Sequence, residues 1–260
     1  MKTLASCGVA AFEDSIVDDN SFSDLLYRFI AHYKWEPQHL LGSMKEFEGR
    51  ARLQEVPLNF LLNAFLRFSS SATIASLLTE CGFSDSELAA RTLELKFPSE
   101  TKFTQPDVLI ESDKVRVFIE VKVDSKVKLE QVQKYALLHA TMNIQKKKRP
   151  YLMFLTKYPF PEWWSPSKDR SSSADVRSFL GERLADAQGF DFLKRVPEEA
   201  IIKEYEEVRR SIKFGAHTWN SFGNHLKVLS ADLVKNPDRE VEVRVIDDFL
   251  SELRKRGFVD

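Results

Sequence analysis

The stretch Gln105–Lys122, QPDVLIESDKVRVFIEVK, constrains this chain more than any other. Two runs of alternating residues flank a short polar break, which is the pattern of a β-hairpin. With Asp113-Lys114 as the turn, Ser112 faces Val115 and paired residue numbers sum to 227. Val108, Ile110, Val115, Val117, Ile119, Val121 and Val123 then share one face, β-branched and apolar, that suits a core. Asp107, Leu109, Glu111, Arg116, Phe118, Glu120 and Lys122 share the other. A four-residue loop over 112–115 keeps this register; a three-residue loop shifts it by one and spoils the sorting.

In this register Asp107 faces Glu120, with about 5 Å between the Cβ atoms. Lys122 lies two residues further on, on the same face. Two carboxylates so close repel unless a proton or a cation intervenes. Oxygen donors suit a hard ion such as Mg²⁺, which takes one or two carboxylates and completes its shell with water and substrate phosphate. A lysine beside them can orient or help deprotonate the attacking water and offset the charge building on phosphate. The grouping fits metal-assisted hydrolysis of a phosphodiester. The plainer alternative is three strand-end charges in mutual ion pairs. Near the turn, Glu111 and Arg116 read as an exposed ion pair of little energetic weight.

The rest of the chain frames this hairpin. Its 260 residues are 43% hydrophobic and 30% charged, enough to bury a sizeable core. A net charge of -1 does not single out a nucleic-acid partner, although a local basic patch would serve one. No apolar run reaches membrane-spanning length, so no membrane partner is expected. Leu4-Ala5-Ser6-Cys7 is similar to a lipoprotein cleavage box, but the apolar segment before it is too short for a signal peptide. Cys7 and Cys81 are far apart, so a reducing cytoplasm is the expected compartment. Zinc-ligand spacings, phosphate-binding loops and Gly-rich dinucleotide turns are missing from the sequence. The five histidines are scattered and suggest no Ser/His/Asp arrangement.

Periodicity predicts the elements. Residues 21–41 read as a helix broken near Pro37. After Pro57, Leu58, Leu61, Leu62 and Phe65 recur at helical spacing, followed by Ile74, Leu77 and Leu78. These form two helices, or one interrupted at Ser69-Ser70-Ser71, with Gly82 as a stop. TLELKF (92–97) alternates as a strand, 129–143 is helical, and PYLMFLT (150–156) is a short apolar strand. The order is that of an α/β core whose first strands are antiparallel and whose later strand returns over a helix. A Pro/Ser/Trp-rich loop covers 158–173. Residues 174–256 read as helices: 174–188, one from Pro197, one over about 219–234, and one after Pro237. The expected division is a helical segment at 1–45, a core at 46–165 and a helical C-terminal region at 166–260. QKKKRP (145–150) is either a solvated loop or a phosphate-contacting edge. The tryptophans of PEWW either stack on bases or pack under their loop.

"PD", twelve residues, then "EVK" resembles the PD-(D/E)xK nuclease superfamily, with its restriction-endonuclease-like fold. Three neighbours strengthen the resemblance. The acids fall on a hairpin in facing register. The helix that follows carries Gln131 and Tyr135 four apart, similar to the Gln-x-x-x-Tyr signature of many members. RTLELKF lies upstream, where members often have a strand with a glutamate, so Glu94 fits that place as a further metal ligand. The resemblance covers about 55–157. It implies that Asp107, Glu120 and the backbone carbonyl of Val121 hold Mg²⁺, with Mn²⁺ as a substitute. It implies that Lys122 is the catalytic lysine, and that Gln131 and Tyr135 line the site, contacting the DNA backbone or bracing the lysine. The expected function is a DNA nuclease serving defence or repair, with DNA as partner and a homodimer compatible. The rival expectation is an inactive nuclease-fold protein that binds nucleic acid or another protein. One departure matters: members often carry a glutamate on the first core helix, where this chain has Asn59 and Asn63. Glu48 and Glu55 lie upstream as substitutes that the sequence does not place.

Overall fold

The structure is a computed structural model that describes residues 55–81, 83, 93–96, 104–123, 129–158 and 198–260. The expected helices at 21–41 and 174–188, the stop at Gly82, Glu48, Cys7 and PEWW lie outside the described residues.

The described chain is α/β. Helix α1 spans Glu55–Phe68 and α2 spans Ser71–Glu80. Pro57 falls in the first turn of α1, where a missing N–H costs no helical hydrogen bond. The serines separate two helices: Ser70 caps α2 by accepting from the Thr73 N–H. Strands follow at β1 (Glu94–Lys96), β2 (Val108–Glu111) and β3 (Val115–Val121). Helix α3 (Leu129–Gln145) then leads into β4 (Arg149–Thr156).

The hairpin register is the one the alternation predicts. Val108 lies opposite Ile119, Leu109 opposite Phe118, Ile110 opposite Val117 and Glu111 opposite Arg116. The β1–β2 and β2–β3 pairs are antiparallel, and β4 joins β3 in parallel after the α3 crossover. The valine and isoleucine face forms one core layer with α1, α2 and the final helices. Leu109 and Phe118, from the other face, pack with Leu152 and Phe154 against α3 and α4 (Glu198–Ser211). Each such apolar side chain stabilises the fold by about 1.5–3 kcal/mol relative to exposure.

Two readings need correction. Residues 174–256 are not all helical: Lys213–Thr218 forms β5, which pairs in parallel with β4 and completes a five-stranded sheet in the order β1-β2-β3-β4-β5. Helices α5 (Trp219–Leu233) and α6 (Glu240–Lys255) follow, and Trp219, Phe222, Ile246 and Phe249 enter the same core cluster as Leu58 and Val117. The Glu111–Arg116 pair is not an exposed one either. Arg116 is 3% exposed, 2.5 Å from Glu111, and donates to Asn143 Oδ1 at 2.9 Å. Lys148 of the basic run is buried against Glu111 at 2.9 Å, and Lys147 pairs with Glu207 on α4. These two lysines join elements of the fold, which neither expectation for QKKKRP anticipated.

Candidate active site

β3, β4 and β5 run parallel, so their carboxyl ends share one edge of the sheet, with Val121 beside Leu155 and Leu155 beside His217. The hairpin charges gather at this edge. One step beyond the Val108–Ile119 pair, Asp107 comes level with Glu120. Its Oδ2 accepts from the Val121 N–H at 2.7 Å and its Oδ1 from Asn59 Nδ2 at 2.5 Å. Asn63 Nδ2 donates to the Asp107 carbonyl at 2.8 Å and to the Asn59 carbonyl at 2.7 Å. The two asparagines, four apart on α1, therefore fix both the side chain and the backbone of Asp107.

Glu120 is 3% exposed and receives three donors. Lys122 Nζ lies 2.6 Å from Oε1, Gln131 donates to the same oxygen, and the Tyr135 hydroxyl donates to Oε2. Helical spacing explains the pairing: residues four apart on α3 share a face, so Gln131 and Tyr135 reach one carboxylate together. Burial, then the charges of Glu120 and Asp107, push the Tyr135 phenol far up, so it stays protonated and donates.

The first helix does supply an acid. Glu55, the first residue of α1, accepts from the Val123 N–H at 3.2 Å and lies 3.6 Å from Lys122 Nζ. Burial opposes the charge of Lys122, but Glu120, Glu55 and Asp107 outweigh it and raise the pKa above that of a free lysine. Lys122 is thus held as an ammonium. Glu94 stands apart from this group. It pairs with Glu111, four strand residues from the level of Asp107, or about 13 Å along the strand.

Asp107 carries the electrostatic imbalance. Burial and the neighbouring Glu120 raise its pKa to about 8, against the lowering effect of the Val121 N–H and Lys122. Between the unfolded value of 3.8 and about 8, the folded carboxyl keeps a proton that the unfolded chain releases. Raising the pH through this window therefore destabilises the fold. We expect the Tm of the wild type, measured in EDTA, to fall relative to that of Asp107→Asn as pH rises from 5 to 8.5. The asparagine amide can be accommodated because Asn59 Oδ1, buried and without a hydrogen-bond partner, accepts from it once the Asn59 amide rotates. A Tm difference that stays flat over this range overturns the imbalance.

Do these residues fit a divalent ion? Among the described residues, no group of three or more His, Cys, Asp or Glu side chains is arranged to hold one. The donor set is nonetheless of the right kind, with two carboxylates and neutral oxygens, including the unpartnered Asn59 Oδ1. A carboxyl driven toward protonation by burial and by a neighbouring carboxylate also marks a place where a cation stabilises the charged form.

Sequence reasoning missed Trp219. Its indole Nε1 donates to the Lys122 carbonyl at 3.1 Å across 97 residues of chain, and no local pattern announces such a contact. The sequence singled out Asn59 and Asn63 as standing where members of the resembled superfamily often carry a glutamate, but not their hold on Asp107.

No family model and no curated protein matches this chain. Among the described residues, no helix is long and apolar enough to cross a membrane.

Proposed function

We propose that the chain is a metal-dependent nuclease on a restriction-endonuclease-like core, hydrolysing phosphodiester bonds in DNA. The observation that carries this reading is the convergence of Asp107, Glu120, Lys122 and the α1 acid Glu55 at the carboxyl edge of the parallel strands. Ligands of open parallel sheets characteristically bind at that edge. The order α1, α2, β1–β3, α3, β4 also resembles the core order of such nucleases.

Asp107, Glu120 and the Val121 carbonyl would hold Mg²⁺ or Mn²⁺. The ion, when bound, supplies charge neutralisation and an activated water. Lys122, held beside Glu120 and Glu55, orients water and offsets charge developing on phosphate. Gln131 and Tyr135 hold Glu120 in place. Asn59 and Asn63 do the same for Asp107.

The experiment is incubation of purified protein and Mg²⁺ or Mn²⁺ with linear, circular and single-stranded DNA, and with RNA, beside Asp107→Ala. Metal-dependent cleavage that the variant loses is expected. Equal inertness of both proteins on all substrates would falsify the catalytic reading. A second reading, an inactive nuclease fold that binds nucleic acid or a partner protein, draws on one observation: all of Glu120's contacts are already to protein donors. Melting curves separate the two. A working site gives a Mn²⁺-dependent rise in Tm, about 2.7 kcal/mol of stabilisation at a hundredfold excess over Kd, that Asp107→Ala abolishes.

A further inference from the structure

We infer that Trp219 is a positioning residue for the lysine, and that the segment 257–260 sets how firmly it positions. This rests on the nuclease reading for its catalytic consequence, but not for its geometry. Lys122 follows directly on β3, one residue past the last β3–β4 pair, where the ladder no longer holds it on both sides. Two backbone bonds fix it there. Its N–H donates to the Leu155 carbonyl at 2.8 Å, and its carbonyl accepts from Trp219 Nε1 at 3.1 Å. Leu155 belongs to the neighbouring strand, whereas Trp219 comes from the first turn of α5, directly after β5.

The indole is itself held. Trp219 is 1% exposed and lies stacked on Phe258, with ring centroids 5.8 Å apart and planes 10° from parallel. Phe222 meets it edge-on at 6.1 Å. The segment carrying Phe258 is seated by a close approach that only glycine allows: a Cβ on Gly223 would lie 2.3 Å from Val259 Cγ2. Gly257, at φ +68°, turns the chain from α6 into that seat. Lys227 Nζ donates to the Asp260 carbonyl at 2.8 Å. A continuous set of contacts therefore runs from residues 257–260 through the indole to the backbone of Lys122. Its effect is to hold the amine where Glu120 and Glu55 meet it.

The variant Trp219→Phe keeps an aromatic ring on Phe258 and removes the N–H donor together with part of the buried bulk of the indole. Two readouts are taken with Mg²⁺ present: steady-state cleavage of DNA, and labelling of individual lysines by an amine-reactive ester followed by mass spectrometry. We expect kcat to fall about tenfold with KM within twofold, and Lys122 to be labelled at least threefold faster while Lys147 is unchanged. Phe258→Leu is expected to shift both readouts in the same direction by less, and stands in if Trp219→Phe does not fold. Wild-type kcat and wild-type Lys122 labelling in the folded variant overturn the proposal, as does a uniform rise in labelling of all lysines. If the wild type cleaves nothing, the nuclease reading falls while the labelling still decides the positioning.

Discussion

Lys122→Met is expected to lower kcat for DNA cleavage by about 10³-fold, within the range for loss of a positioned proton or charge donor. Methionine keeps most of the length and removes Nζ, so packing against the strand end is largely retained. The KM is expected to change by less than about threefold, because the lysine acts on charge that develops during reaction. A second signature follows from the surroundings. Glu120 and Glu55 lose their shared cation, and Asp107 loses one of the two groups that lower its pKa. The variant is therefore less stable than the wild type at pH 8 and approaches it as the pH falls and the carboxyls take up protons. Cleavage rates and Tm across pH 5–9 check both parts. Undiminished kcat would remove the lysine from the mechanism.

The largest effect on stability is expected far from this edge. Arg116→Met takes the guanidinium from Glu111, leaving that carboxylate with Lys148 alone, and removes a donor from Asn143. Breaking a buried ion pair by removing one partner costs about 3–5 kcal/mol, because the remaining charge stays desolvated. Urea denaturation at pH 7 measures the loss as a lower midpoint at unchanged slope. Replacing the whole group, with Glu111→Leu, Arg116→Met and Lys148→Met together, is expected to recover most of it, since apolar residues of similar volume carry no desolvation cost. A single variant as stable as the wild type would show the group to be solvated.

The same pair illustrates what the sequence could and could not say. Alternation placed Glu111 opposite Arg116 correctly, because a period of two and one buried face leave a single workable register. Their burial depends on α3 and on Lys148, which lies beyond the hairpin. Within the candidate site, the juxtaposition of Asp107, Glu120 and Lys122 was legible from register, whereas Gln131 and Tyr135 entered through the resemblance of their helix to the Gln-x-x-x-Tyr signature. Glu55 was not, because its relation to Val123 depends on where α1 begins and how that helix crosses the sheet. β5 was missed for a different reason. KFGAHT has one β-branched residue, only Phe214 and Ala216 as an apolar alternation, and flanking helices, so its conformation is set by the open edge of β4 rather than by its own preference. Trp219 lies furthest from local signals, since its role exists only once β5 has delivered it to the end of β3.

That delivery has a consequence during synthesis. The Lys122–Trp219 contact spans 97 residues, and at ribosomal rates of about 5–20 residues per second the tryptophan follows the lysine by ~5–20 s. Throughout that interval the nascent chain carries a complete hairpin, with its paired acids and its lysine, but lacks the strand and the indole that finish the edge. The backbone of Lys122 therefore gains its second fixed bond only after most of the chain has been made.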